Sequence, residues 1–528
     1  MRDGLPKSAQ RMSLAGEHAL VAKVASRAGC ALLATFSALV QAQTAGARPA
    51  GGQREFIVQP RASIAQTFTD NVDRSAAPVS DSITQLTAGL SFESNSARLR
   101  GYLDYGLSGL LYAQHGEKDT YQNALRAALG VDLIDNRARL DATASISQTA
   151  LSAFGVQPNG SGLPGNNTTE LRTLAVTPSF RGPLGPIVKY TALFGYTVSN
   201  AGNTVRGDSR AYNASVRFEP VSAGPLGWSI EASQMRSDFQ AGRATESDRL
   251  IGTVKRKIHD LDLELSANGG IEMTDLASQQ RQRYKNWGVG ATWVPSERTR
   301  LAAQLDHRFF GRAHSLSLDY RTALTSWSIS DSRNVSTSSN GSNGAGRGTV
   351  FDLYFAQFAS IEPDPVKRTA LVNSFLSSNG INPTTGVDTG FLRSGATVVR
   401  GQNAAVAYRS MRSAAVLVFT RSETERVAIA ALSSDDLRDA AKIQMQSVTL
   451  NLSHRLTPTS SVNLGLSDQK TRGELTRQST GQRQANLQYT TRLTSDGDLS
   501  VMARRTLYSK DLVHFDENTL VATYSHRF

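Results

Sequence analysis

The stretch Val188-Lys189-Tyr190-Thr191-Ala192-Leu193-Phe194-Gly195-Tyr196-Thr197-Val198-Ser199 decides the fold. Val188, Tyr190, Ala192, Phe194, Tyr196 and Val198 alternate with Lys189, Thr191, Gly195, Thr197 and Ser199. Successive side chains of a strand point to opposite faces, so this segment has one apolar and one polar face. The period recurs along the chain. Leu99, Leu103, Tyr105, Leu107 and Leu111 alternate with Arg98, Arg100, Asp104 and Ser108. Ala138, Leu140, Ala142, Ala144 and Ile146 alternate with Arg137, Arg139, Asp141, Thr143 and Ser145, and Leu261 to Ile271 repeats the pattern. Strands of soluble sandwiches mostly hold about five or six residues. These run to roughly ten or more, the length a tilted strand needs to cross a bilayer. Aromatic residues gather toward strand ends, as at Trp287 and Trp293, in the manner of interfacial girdles.

The connections alternate in length. Short turns fall at 94–96, 135–136, 182–186, 259–260, 295–298, 457–460 and 495–498. Longer polar loops lie mostly between them, at 113–118, 151–169, 200–208, 274–283 and 469–480. Short periplasmic turns opposite longer external loops mark an outer-membrane barrel, and open edges cannot exist in lipid. The expected fold is all-β: a closed, antiparallel, transmembrane outer-membrane β-barrel of about 22 strands, within 18–24, over 54–528.

Composition excludes competing classes. The chain has 528 residues, is 39% hydrophobic and carries one cysteine. It has no apolar run of the roughly 20 residues that a membrane helix needs. A single cysteine leaves no disulfide scaffold and no Cys-rich metal site. At the N-terminus, Lys7, Arg11, Lys23 and Arg27 precede an apolar stretch from Ala28 to Val40, followed by small residues. This predicts a secretory signal peptide over 1–42 and a short periplasmic segment over 43–53. The apolar run follows Cys30 instead of preceding it, so Cys30 reads as a small residue of the leader, not as an acylation site.

One region breaks the rhythm. A Ser/Asn/Gly-rich tract opens 334–395, and Asp364-Pro365 precedes Val366–Asn379 and Gly380. Asp as N-cap, Pro at N1 and Gly past the end predict a short helix near 365–379. The long loop carrying it is either a luminal insert or an external cap. At the other end, Leu520, Ala522, Tyr524, His526 and Phe528 share one face. Tyr524 and the terminal Phe528 resemble the assembly signal read by the barrel-assembly machinery, and His526 departs from the usual aromatic there.

The chain also resembles a known family. Gln66-Thr67-Phe68-Thr69-Asp70-Asn71-Val72 is similar to the opening motif of the PEP-CTERM system-associated outer-membrane proteins. Ala144 to Gln148, His307 to Gly311 and Pro363-Asp364-Pro365 resemble it in the same order. The resemblance covers nearly the whole chain after the leader. It implies a Gram-negative outer-membrane location beside exosortase sorting and exopolysaccharide loci. It implies no mechanism and transfers no functional residue.

Chemistry-bearing motifs are few. Gly160, Gly162 and Gly165 match G-x-G-x-x-G, but Pro158, Pro164 and Asn166 place the match in a loop, whereas dinucleotide binding needs a strand before it and a helix within it. The histidines are scattered, with no H-E-x-x-H and no G-x-S-x-G elbow. The expectation is a non-enzyme without cofactor or metal. A formal net charge of +12 comes with no basic tail and few interleaved aromatics, which argues against nucleic acid. Instead Arg98, Arg100, Arg126, Arg137, Arg139, Lys189, Arg217, Arg300, Arg308 and Arg321 alternate with apolar residues and should face a lumen. They would form either an anion-attracting pore wall or, interleaved with Asp104, Asp132, Asp141, Asp262, Glu264, Asp306 and Asp319, ion pairs that brace the barrel.

The expected function is a channel or export-associated barrel for hydrophilic solutes or exopolysaccharide. The alternative is a plugged structural or binding barrel. A filled lumen would favour binding or gating. A TonB-dependent receptor of about 22 strands needs a globular plug before the barrel, and too few residues precede the first strand here. Expected partners are outer-membrane lipid, the barrel-assembly machinery and exopolysaccharide export components.

Overall fold

Alternation along each strand closes into one sheet. The computed structural model describes residues 56–158, 163, 165–222, 224–339, parts of 351–378, 390–427, 435–476, 478–511 and 513–528. The expected signal peptide and the 43–53 segment lie outside the described residues, as do Gly160 and Gly162.

The first half of the sheet holds β1 (Phe56–Thr69), β2 (Asp81–Asn95), β3 (Leu99–Tyr112), β4 (Thr120–Ile134), β5 (Ala138–Ala150), β6 (Thr168–Leu184), β7 (Val188–Ala201), β8 (Ser209–Pro220), β9 (Leu226–Phe239), β10 (Thr245–Ile258) and β11 (Leu263–Thr274). The second half holds β12 (Gln282–Ser296), β13 (Thr299–Arg308), β14 (Gly311–Arg321), β15 (Thr325–Ser336), β16 (Thr397–Arg409), β17 (Ser413–Arg426), β18 (Lys442–Arg455), β19 (Ser460–Gly473), β20 (Ser479–Arg492), β21 (Gly497–Lys510) and β22 (Val513–Arg527). Helical elements include α1 (Pro365–Ser378) and α2 (Leu437–Ala440), besides 3-10 turns at Gly116–Lys118 and His259–Leu261.

Each strand pairs antiparallel with its sequence neighbours, and β1 also pairs with β22 from Arg61↔Arg527 to Thr69↔Thr519. The 22-stranded sheet is therefore closed, which gives every ladder a partner. With 22 strands about 4.8 Å apart and tilted about 40°, the wall is on the order of 44 Å across. Short turns connect one end, helped by left-handed Asn136 (φ 56) and Gly185 (φ 74). The longer loops gather at the other end.

The outer face carries an exposed apolar belt that includes Ile64, Leu107, Leu250, Val254, Val289, Leu305, Leu417 and Leu487. Exposed Trp228, Trp293, Tyr320, Trp327, Tyr408 and Tyr489 ring the short-turn end of that belt, and Phe68, Tyr121, Tyr212 and Trp287 stand toward the other. Two aromatic girdles around an apolar band are what lipid contact selects.

Several strands run further than their apolar alternation. β19 and β20 reach into the expected 469–480 loop, and β11 and β12 narrow the 274–283 loop. Beyond the belt the outer face meets water instead of lipid, so the apolar period stops while the backbone ladder continues. For the same reason β15 extends to Ser336, and the insert begins after it rather than at 334.

Candidate functional site

The lumen is occupied. Asp364 caps α1, accepting from the Lys367 N–H through Oδ1 (3.2 Å), and Thr369 Oγ1 donates to the Pro365 carbonyl (2.8 Å). The helix expected near 365–379 is thus present as Pro365–Ser378. Val372 and Leu376, one turn apart, are buried with Phe351, Tyr354 and Phe358 against Ala405 of β16 and Val416 and Val418 of β17. Contact with this insert identifies the inner face of both strands.

The insert also reaches a wall well round the ring. The Phe351 ring lies 6.1 Å from Tyr102 of β3, and the Arg126 guanidinium of β4 sits 4.7 Å above it. Phe355 stacks on Phe351 at 5.7 Å and 21°, and Arg368 covers Phe355 at 4.7 Å. Cation, ring, ring and cation form one column from wall to helix. Each such contact adds roughly 0.5–2 kcal/mol to the apolar burial. Tyr102 and Val416 both lie near the short-turn ends of their strands, so the insert descends most of the way through the barrel.

A second tier spans part of the long-loop mouth. Residues 390–396 run across it as a crossbar. Leu392 N–H donates to the Ala150 carbonyl (3.0 Å), and its side chain is buried with Leu171 and Ala201. Phe391 joins Phe154, Leu437, Ala440, Ile443 and Met445 in another cluster. Arg393 ties together the two ends of the insert. Its Nη1 donates to Thr397 Oγ1 (2.5 Å), and Nη2 to Ser336 Oγ and the Ser338 carbonyl (3.1 Å each). Burial pushes Arg393 down to about 10, opposed by the charge of Asp435. Asp435 Oδ2 accepts from Ser394 N (2.7 Å) and Oγ (3.0 Å). A Cβ on Gly242 would lie 1.8 Å from the Ser394 carbonyl oxygen, so only glycine lets the β9–β10 loop meet the crossbar.

The 151–167 loop crosses the same mouth. Asp436 accepts from Ser152 Oγ (2.8 Å) and Ala153 N (2.6 Å), and burial raises its pKa against those two bonds. Tyr508 Oη donates to the Phe154 carbonyl (3.0 Å). Gln157 N donates to Gln482 Oε1 (3.1 Å).

The expected basic residues fall in different settings. Arg98 and Arg137 occupy turns, because their strands start one residue later, at Leu99 and Ala138. Arg100 lies on the face of β3 that carries Tyr102, and Arg126 covers Phe351. Arg139 pairs with Asp141 (2.9 Å) and Asp132 (4.0 Å). Lys189 pairs with Glu219 (3.3 Å), and Arg217 with Glu219 (3.6 Å) and Glu231 (3.7 Å). Arg308 bonds Glu272 (2.6 Å), whose side chain is 0% exposed. Arg300 stands opposite Asp319 in the β13–β14 register, and Arg321 donates to the Glu297 carbonyl (3.2 Å). Of the ten, Arg139, Lys189, Arg217 and Arg308 thus pair with carboxylates. At the other end of the chain, Tyr524 stacks on His526, and Phe528 N–H donates to the Pro60 carbonyl (3.0 Å).

Solvation of the inner wall is graded. Near the short-turn end of β5 to β11, Arg139, Asp141, Lys189, Arg217, Lys255 and Glu264 remain about half exposed. Toward the long-loop end, Ser237, Glu272, Thr274 and Asn286 are buried. Among the described residues, no group of three or more His, Cys, Asp or Glu could hold a metal ion. Sequence reading missed the crossbar, Arg393, Asp435 and α2. The apolar pair Phe391-Leu392 inside a polar tract was the available signal.

A closed barrel with a lipid-facing apolar belt, girdles and loop-filled mouth is an outer-membrane-type β-barrel. No protein-family model and no curated protein matches the chain. Similar solved structures include the siderophore receptor PirA from Pseudomonas aeruginosa, with 9% identity over 91% of this chain and 81% of that one and a TM-score of 0.41. PirA from Acinetobacter baumannii shares 9% over 89% and 80%, with a TM-score of 0.44. The FrpB iron transporter from Neisseria meningitidis (F5-1 variant) shares 9% over 89% and 82%, with a TM-score of 0.46. At such identity the likeness is one of barrel architecture.

Proposed function

We propose that this protein is a gated outer-membrane channel, closed by the 337–396 insert, that passes or guides a hydrophilic solute or polymer. The observation carrying this reading is the insert itself. It bridges the β3–β4 and β16–β17 walls beside an inner wall that stays charged and solvated. A barrel needed only as a scaffold gains nothing from a solvated, ion-paired vestibule. The sequence resemblance supports exopolysaccharide as the polymer, in a PEP-CTERM and exosortase setting with exopolysaccharide export components as partners. The 1–42 leader and the Tyr524/Phe528 terminus support Sec-type export and insertion into a Gram-negative outer membrane by the barrel-assembly machinery. The reading assigns no catalysis.

The buried Arg393–Asp435 clamp favours a second reading, a permanently plugged barrel whose external loops bind surface polysaccharide or protein. Single-channel conductance separates the two. The full chain is compared with a variant in which 340–389 is replaced by a short Gly/Ser linker, leaving the clamp intact. Rare openings in the full chain and steady conductance in the variant are expected. Silence in both, with folding verified, refutes the channel.

A further inference from the structure

The outer wall carries a groove that the lumen does not explain. It has a volume of about 580 Å³, within the roughly 300–1,000 Å³ of small-ligand sites. Register builds it. Leu464, Leu487, Ala503, Leu520 and Phe68 stand side by side across β19, β20, β21, β22 and β1. The next row toward the long loops pairs Ala485 with Arg505, and Arg505 with Asn518. All face outward, since the alternate residues Arg504 and Thr506 are buried. The two alanines form the floor between larger apolar side chains.

Charge begins at the upper lip of this groove. Arg505 and Arg483 are 62% and 67% exposed, with Lys470 beside them. Their carboxylate contacts are single-pronged. Arg505 Nη2 meets Asp516 at 3.2 Å, Arg483 Nε meets Asp468 at 3.5 Å, and Lys470 meets Asp468 at 3.6 Å. A third carboxylate, Asp70, is already occupied by Asn518 through N and Nδ2, at 2.7 Å each. A guanidinium has five donors in a planar fork, so both exposed arginines keep donors beyond these contacts. An apolar trough ending in forked cations at the upper margin of the lipid belt matches an amphiphile. Its acyl chain would lie in the trough and its phosphate on the lip. Long loops mark the external side, where the outer leaflet supplies phosphorylated glycolipid.

We infer that this groove binds one phosphorylated acyl glycolipid of the outer leaflet, with its phosphate held by Arg483 and Arg505. The test is native mass spectrometry of the full barrel in mild detergent. The probes are diphosphoryl lipid A, its dephosphorylated form and phosphatidylglycerol. The wild type should hold diphosphoryl lipid A about tenfold more tightly than either other lipid, the scale of one charge-assisted contact. The R483A/R505A variant should lose that preference. A503L keeps every charge, fills the trough on a lipid-exposed site and should weaken binding of both lipid A forms. Folding is verified for each variant by heat-modifiable gel mobility. Equal binding of all probes by the wild type, or unchanged binding in folded R483A/R505A and A503L, would overturn the site.

Discussion

Replacing Phe351 with Ala should unseat the insert while leaving the barrel intact. Phe351 is 3% exposed and sits between Tyr102, Phe355 and the Arg126 guanidinium. Truncating a buried Phe to Ala costs about 3–5 kcal/mol through lost transfer energy and the remaining cavity. The contact with Arg126 disappears with the ring. At about 4 kcal/mol the open-to-closed ratio rises about a thousandfold, since each 1.4 kcal/mol is tenfold. A channel open about 0.01% of the time would then be open about 10% of the time. The ladder from β1 to β22 closes without Phe351, so heat-modifiable gel mobility should not change. Planar-bilayer recording gives the open probability, and limited proteolysis reports release of the insert. An insert that becomes protease-sensitive while conductance stays at its wild-type level would refute the reasoning, because the barrier would then lie elsewhere.

The inner wall allows a paired comparison. R308M should destabilise the barrel by about 3–5 kcal/mol, because it leaves Glu272 buried without its partner. R139M should cost about 1 kcal/mol or less, its ion pair being solvated. Equilibrium folding titrations into lipid measure both, and similar losses would contradict the graded solvation. On the outer wall, L107R should cost about 2–4 kcal/mol in the same titration, as a charge in the middle of the lipid belt. S108R should be mild, since Ser108 shares the opposite face of β3 and meets Thr87 Oγ1 at 2.8 Å. Equal effects would contradict the assigned facing.

The parts legible in the sequence are those governed by local physics. Period-two alternation reveals the lipid belt because lipid and lumen impose opposite demands on neighbouring residues. The Asp364-Pro365 start exposes α1 because a cap needs only local atoms. Strand ends were harder to read, since Lys470 and Arg472 face outward above the belt and look like loop residues. The crossbar was invisible for another reason. Arg393 meets Ser336 and Ser338, far back along the chain, and Asp435 belongs to a different loop. No local pattern encodes such meetings. Whether the insert filled the lumen or capped it also depended on distant partners, Val416 and Val418 on one wall and Tyr102 on the other.

The Arg393 clamp makes the insert a tethered ligand of its own barrel. Both its ends are knotted at the mouth through Ser336, Ser338 and Thr397, so the aromatic segment cannot diffuse away when it leaves the wall. Rebinding would be intramolecular, at an effective concentration on the order of 1 mM. A docking surface with an intrinsic dissociation constant of only about 10 μM would then stay occupied about 99% of the time. Closure can therefore be both weak and nearly complete. In the proposed channel, openings would end by recapture from within, independent of how much protein the membrane holds.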